Sequence, residues 1–261
     1  MPISLSIASG KGGVGKTTMA INLAIMQAKT SNCLLLDADM GMANAHILLG
    51  INPELTIKDF FDGSCSIEKV ISVGPENLMF MSGGSGLTEL LNIDKNKKLN
   101  FIRTFDQISS KIDNLIVDVS AGAEDSSLSL LSASDKILIV LVNEPTSFTD
   151  AFTLIKVCHL EFGLREFCLA VNMVDNEIQG KEIYVKFSKI LRKFYDVNIT
   201  YVGSVPLNKT IKKSVIQKTP IVLEKNSKKF YFLFEKIIKN INQAPTNNFR
   251  GIKFFNTSSD N

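Results

Sequence analysis

The 261-residue chain is 45% hydrophobic and 21% charged, with a formal net charge of +3, which suits one large α/β domain with a sizeable core. Its four cysteines (Cys33, Cys65, Cys158 and Cys168) are too scattered for a disulfide framework or structural zinc, and two histidines are too few for a metal centre. The first eight residues lack the basic and apolar regions of a signal peptide, and the run 137–142 is too short to span a bilayer, so a cytoplasmic protein is expected.

In chain order, short apolar runs alternate with segments of helical period. The runs 3–8, 33–36, 78–81, 115–119, 137–142, 167–171 and 199–202 are predicted strands, and 16–29, 98–112, 149–161 and 177–195 are predicted helices. Strands apolar on both faces and separated by helices imply a mostly parallel sheet of seven or more strands covered on both sides. Phe230, Tyr231, Leu233, Phe234, Ile237, Ile238 and Ile241 mark the inner face of a last core helix. No internal repeat or linker divides the chain, so residues 1–242 read as one domain and 243–261 as a polar tail with a short amphipathic segment. Ligands of such sheets sit at the carboxyl ends of the strands, where Asp37, Asp118, Glu144 and Asn172 fall.

The first run leads into Gly10-Lys11-Gly12-Gly13-Val14-Gly15-Lys16-Thr17, a G-x-x-x-x-G-K-[ST] phosphate loop between a predicted strand and a predicted helix. Glycines let successive backbone N–H groups turn inward on phosphate oxygens, and the helix N-terminus adds partial positive charge there. Lys16 should reach the β- and γ-phosphates of a nucleotide, Thr17 should ligate Mg²⁺, and Thr18 continues the binding loop. After the second run, Asp37 and Asp39 stand two residues apart beyond a strand end. One can orient a Mg²⁺-bound water while the other positions an attacking water. The run ending in Asp118 reads as a Walker-B strand, with Asp118 holding Mg²⁺ through water and the Gly122 N–H sensing the γ-phosphate. Asn172-Met173-Val174-Asp175 has the N-x-x-D spacing of the guanine-reading motif of GTPases, with Met173 where those proteins carry a lysine.

Lys11 is the informative addition to the loop. With it, the segment Lys11-Gly12-Gly13-Val14-Gly15-Lys16-Thr17-Thr18 resembles the deviant Walker-A signature of the MinD/ParA/nitrogenase-iron-protein superfamily. The resemblance implies a P-loop ATPase fold using ATP and Mg²⁺, and a homodimer in ATP. It implies that Lys11 reaches the partner's nucleotide, that Asp39 positions water with Asp37 near the metal, and that Asn172 reads adenine with Val205 and Pro206 covering the other side. Glu144, Thr146 and Asp150 are implied to line the dimer interface, where they can engage the partner's Lys11. Nitrogenase iron protein and the iron–sulfur carriers are set aside because 119–131 holds no cysteine and no C-terminal C-x-x-C is present. The stretch Asn143-Glu144-Pro145-Thr146-Ser147-Phe148-Thr149-Asp150-Ala151 is similar to that of the MinD-like flagellar number regulators, FlhG or FleN. Met40-Gly41-Met42-Ala43-Asn44 and Arg250-Gly251-Ile252-Lys253-Phe254-Phe255 add to the likeness.

That family's role is to regulate flagellar number or placement through a FlhF-type GTPase, a flagellar transcription activator or a basal-body switch protein. The alternatives are a ParA-like DNA-partitioning ATPase and a MinD-type division-site regulator. Between Asn208 and Lys253 eleven Lys/Arg face two acids, Glu224 and Glu235, a local net of +9 that suits a solvated helical face or an anionic partner. Phe249, Ile252, Phe254 and Phe255 are expected to form a weak membrane-binding segment beside Arg250 and Lys253, strengthened when a dimer presents two copies.

Overall fold

The computed structural model describes residues 1–39, 44–83, 95–224, 226–247 and 251–255. Met40, Gly41, Met42, Ala43, Phe249 and Arg250 lie outside the described residues. Each apolar run forms a strand: β1 (Ile3–Ala8), β2 (Cys33–Ala38), β4 (Met79–Ser82), β5 (Asn114–Val119), β6 (Lys136–Val142), β7 (Glu166–Val174) and β8 (Asn198–Pro206). A strand helices cover on both faces has no solvent side to mark with polar residues, and every residue of β2 and β6 is buried. One strand was not predicted, the two-residue β3 (Ser72–Val73), which pairs antiparallel with β4 at the sheet edge. The strand order is β3-β4-β2-β5-β1-β6-β7-β8, and every pairing except that of β3 is parallel.

Helices α1 (Lys16–Ala28), α2 (Ala45–Leu49), α3 (Ile57–Phe61), α4 (Lys95–Thr104), α5 (Asp125–Ala133), α6 (Pro145–Phe162), α7 (Glu177–Leu191), α8 (Lys209–Ile216) and α9 (Lys228–Gln243) connect the strands. They seal two apolar clusters, one on each face of the sheet. The predicted helix 98–112 tightens after Thr104 into a 3₁₀ segment, Phe105–Lys111, which turns Phe105 and Ile108 into the core. Helix α7 stops at Leu191 rather than 195, and Phe194 beyond it is exposed. The serine-rich α5 escaped the reading of helical period because serine competes locally for backbone bonds. Here Ser129 and Ser132 satisfy their hydroxyls within the helix, donating to the Asp125 and Ser129 carbonyls. Helix α9 buries Phe230, Phe234, Ile237 and Ile241, the four- and three-residue spacing of one helical stripe.

The chain beyond α9 corrects the expected membrane segment. Asn247 accepts from the Arg165 and Glu166 N–H groups and donates to the Glu166 carbonyl, which pins the chain across the start of β7. Lys253 then donates to Asp135 at 3.0 Å and the Phe254 N–H to the Ala133 carbonyl. Phe254 is wholly buried, edge-on to Phe105 with centroids 5.1 Å apart, and Phe255 is buried beside it. Ile252 packs partly buried against the same cluster. These side chains already spend their apolar surface on the core, so they are not free to enter a bilayer. Among the described residues no helix is long and apolar enough to cross a membrane. Phe254→Ala should therefore cost folding stability about 3–5 kcal/mol, read from urea unfolding of the purified chain.

Candidate functional site

The turn between β1 and α1 is shaped by what its glycines must avoid. A Cβ on Gly10 would sit 2.1 Å from the Asp150 carbonyl carbon, so the loop runs directly against the second turn of α6. Gly15 has φ +85°, and a Cβ there would meet the Asn172 amide nitrogen at 2.4 Å. Helix α1 begins at Lys16 with no side-chain cap and no acid in its first turn. Its leading N–H groups are left to an anionic ligand, which the helix dipole also favours.

Opposite the loop stand two acids at the ends of neighbouring strands. Asp37 and Asp118 are register partners in β2 and β5, and both are fully buried. Lys16 Nζ reaches Asp118 Oδ1 at 2.6 Å and Asp39 Oδ2 at 3.7 Å. Asp37 accepts from the Asp39 N–H at 3.2 Å and the Ala45 N–H at 3.0 Å. Burial, with Asp118 beside it, outweighs those bonds and pushes the Asp37 carboxyl up to about 7. Burial also raises Asp118, against the pull of Lys16 and the Thr17 hydroxyl. Asp118 Oδ2 is buried without a hydrogen-bond partner, an orphaned acceptor of the kind a hydrated cation satisfies. The oxygens of Thr17, Asp37 and Asp118 are the hard donors that Mg²⁺ takes, so the residues fit the metal. The Ser120 hydroxyl lies 3.4 Å from Asp39 Oδ1.

Two expected residues are otherwise engaged in this conformation. The Gly122 N–H donates to the Ser9 carbonyl at 2.9 Å, so it is not presented to a phosphate. Lys11 donates to Glu144 Oε2 at 2.7 Å and to Thr146 Oγ1 at 3.2 Å within its own chain. Lys11, Glu144, Thr146 and Asp150 thus gather on one surface beside the loop, where the start of α6 meets it.

Next to the loop opens a cavity of about 320 Å³, near the lower end of the range for ligand pockets. The expected base-binding residues Asn172, Val205 and Pro206 line it, with Gly15 and Thr18 of the phosphate loop. The Asn172 amide donates to the Val14 carbonyl at 2.7 Å, tying the end of β7 to the phosphate loop. Leu207, Ile211, Lys212, Val215 and Phe234, which also line the cavity, carry no expectation from the sequence as site residues. The four-residue step from Ile211 to Val215 after the Pro206 turn was the available signal for α8. In the sequence Phe234 belongs to the core stripe of the last helix, and in the structure it also faces the cavity.

A ParA family model, described as NUBPL iron-transfer P-loop NTPase, matches residues 3–242. Of the chain's four cysteines, Cys33, Cys158 and Cys168 are buried in β2, α6 and β7, and Cys65 is half-buried in a loop. The chain is 36% identical over 221 residues to the antiactivator FleN of Pseudomonas aeruginosa, covering 84% of this chain and 79% of that protein. It is 28% identical over 216 residues to the flagellum site-determining protein YlxH of Helicobacter pylori, covering 82% and 73% respectively. Among solved structures, the MinC:MinD cell division complex of Aquifex aeolicus superposes with a TM-score of 0.72 at 25% identity, over 92% of this chain and 94% of the matched one.

The raised Asp37 sets a pH dependence. An acid that keeps its proton to about 7 when folded, against 3.8 ordinarily, contributes stability that is whole below the lower value and lost as pH rises through the upper one. The nucleotide-free protein should melt at a lower temperature at about pH 8 than at about pH 5, and Asp37→Asn should flatten that decline in thermal scans.

Proposed function

This chain belongs to the ParA/MinD family of P-loop NTPases, and on that premise we propose that it is an ATP-hydrolysing switch that dimerises on ATP and regulates flagellar number. The observation that carries the reading is the placement of two lysines on one loop, each held by an acid of its own chain. Lys16 lies on Asp118 and Lys11 on Glu144. Triphosphate entering the loop takes Lys16 from Asp118 and replaces the carboxylate with β- and γ-phosphate oxygens, while the free N–H groups of α1 accept the rest of the negative charge. Thr17, Asp37 and Asp118 would hold magnesium, which supplies charge neutralisation on the phosphates when bound. Asp39, beyond the end of β2 and close to Lys16, orients the attacking water.

Lys11 sits on the surface, where exchanging Glu144 for a second subunit's γ-phosphate costs little. Two subunits then complete one another's sites, and loss of the γ-phosphate removes the reason to stay together. The adenine base fills the mainly apolar cavity between Asn172 and Pro206. Because a relative is named an antiactivator, the partner favoured here is a flagellar transcription activator that binds one nucleotide state of the switch. A ParA-like reading draws on the exposed lysines of α8 and α9, among them Lys209, Lys212, Lys213, Lys228, Lys229 and Lys239.

Asp39→Ala should bind ATP and slow turnover, so that the dimer persists in light scattering while the wild-type dimer decays to monomer as ATP is consumed. Deletion of the gene should change the number of flagella per cell. Unchanged flagellar counts together with salt-sensitive DNA binding in ATP would favour the ParA-like reading instead.

A further inference from the structure

The spacing Asn172-x-x-Asp175 places a carboxylate where guanine-binding proteins keep one, yet the proposed ligand is an adenine nucleotide. The chemistry of the two bases makes that carboxylate consequential. Guanine offers two donors on its pairing edge, N1–H and the 2-amino group, and a carboxylate accepts from both. Adenine offers the lone pair of N1 and one amino donor, so an ionised acid facing it meets a lone pair. An acid three residues after Asn172 therefore favours the wrong base unless it is kept out of the site.

The geometry after Asn172 does keep it out. Met173 takes a left-handed conformation, φ +56°, and the pairing of β7 with β8 shifts register between Asn172 and Val174. The Val174 carbonyl then accepts from the Leu207 N–H at 2.8 Å, which carries the chain past the cavity. Beyond it, the side-chain amide of Gln179 grips Asp175 at two points. Gln179 Nε2 donates to Asp175 Oδ2 at 2.7 Å, and the Asp175 N–H donates to Gln179 Oε1 at 2.7 Å. Gln179 is itself fixed, because its backbone N–H donates to Asn176 Oδ1, the cap of α7, at 3.0 Å. Asn172 and Met173 line the base cavity, whereas Asp175 does not.

We propose that Gln179 is a positioning residue for nucleotide choice: it holds the Asp175 carboxylate away from the base cavity and so denies guanine its acceptor. The proposal deepens the nucleotide-switch reading and rests on it. A helix cap with no part in recognition would change adenine and guanine affinities together. A positioning residue changes their ratio.

The test measures affinity for ADP and GDP with magnesium by calorimetry, which separates binding from dimerisation and turnover. Wild type should prefer ADP. Gln179→Ala leaves the Asn176 cap intact and should narrow that preference about tenfold, chiefly by strengthening GDP. Gln179→Met keeps the bulk of the side chain and should shift the ratio the same way, which covers any loss of folding in the alanine variant. Adding Asp175→Ala to Gln179→Ala should return the ratio to that of wild type. An unmoved ratio in both single variants, or a narrowed ratio that survives removal of Asp175, overturns the proposal alone. Wild type that binds neither nucleotide overturns the switch reading as well.

Discussion

Two carboxylates lie side by side at the buried ends of neighbouring strands, and the ammonium of Lys16 meets one of them at 2.6 Å. Burial opposes charge on both acids; Asp118 pushes Asp37 up further, and Asp39 does the same to Asp118. A folded protein keeps such a pair only where positive charge arrives to compensate it. The phosphate loop brings that charge, first as Lys16 and, in the proposed cycle, as a hydrated cation. The parallel sheet is what makes the juxtaposition possible, since β2 and β5 run the same way and end together.

The rest of the site follows from fitting a loop against this pair. Gly10 lets the loop touch the backbone of α6, which places Lys11 within reach of Glu144 and Thr146. Gly15 lets it touch Asn172, which couples the loop to the wall of the adjoining cavity. The phosphate loop, the cavity wall and the Lys11–Glu144 surface are thus joined through one short segment, with close contacts on both sides. A ligand that moves the loop has little slack to take up before it moves α6.

Much of this was legible in the sequence because the informative features are local. The glycines and lysines of the loop are contiguous, the acids follow apolar runs, and strands covered on both faces announce themselves as unbroken hydrophobic stretches. What escaped depends on partners far along the chain. Phe254, Phe255 and Lys253 looked like an amphipathic membrane segment because local pattern cannot say that Phe105 and Asp135 are waiting for them. Lys11 bonded within its own chain and Gly122 bonded to Ser9 are likewise matters of register. The α8 side of the cavity was missed because Ile211 and Val215 carry only one helical step of signal.

The central claim is that Lys11 delivers its charge to a second subunit rather than to its own nucleotide. Light scattering of wild type and Lys11→Ala across a titration of ATP with magnesium tests it most directly. The account predicts that wild type doubles in mass while Lys11→Ala binds ATP and remains monomeric. Equal doubling in both proteins, or a wild type that stays monomeric when saturated with ATP, would contradict it.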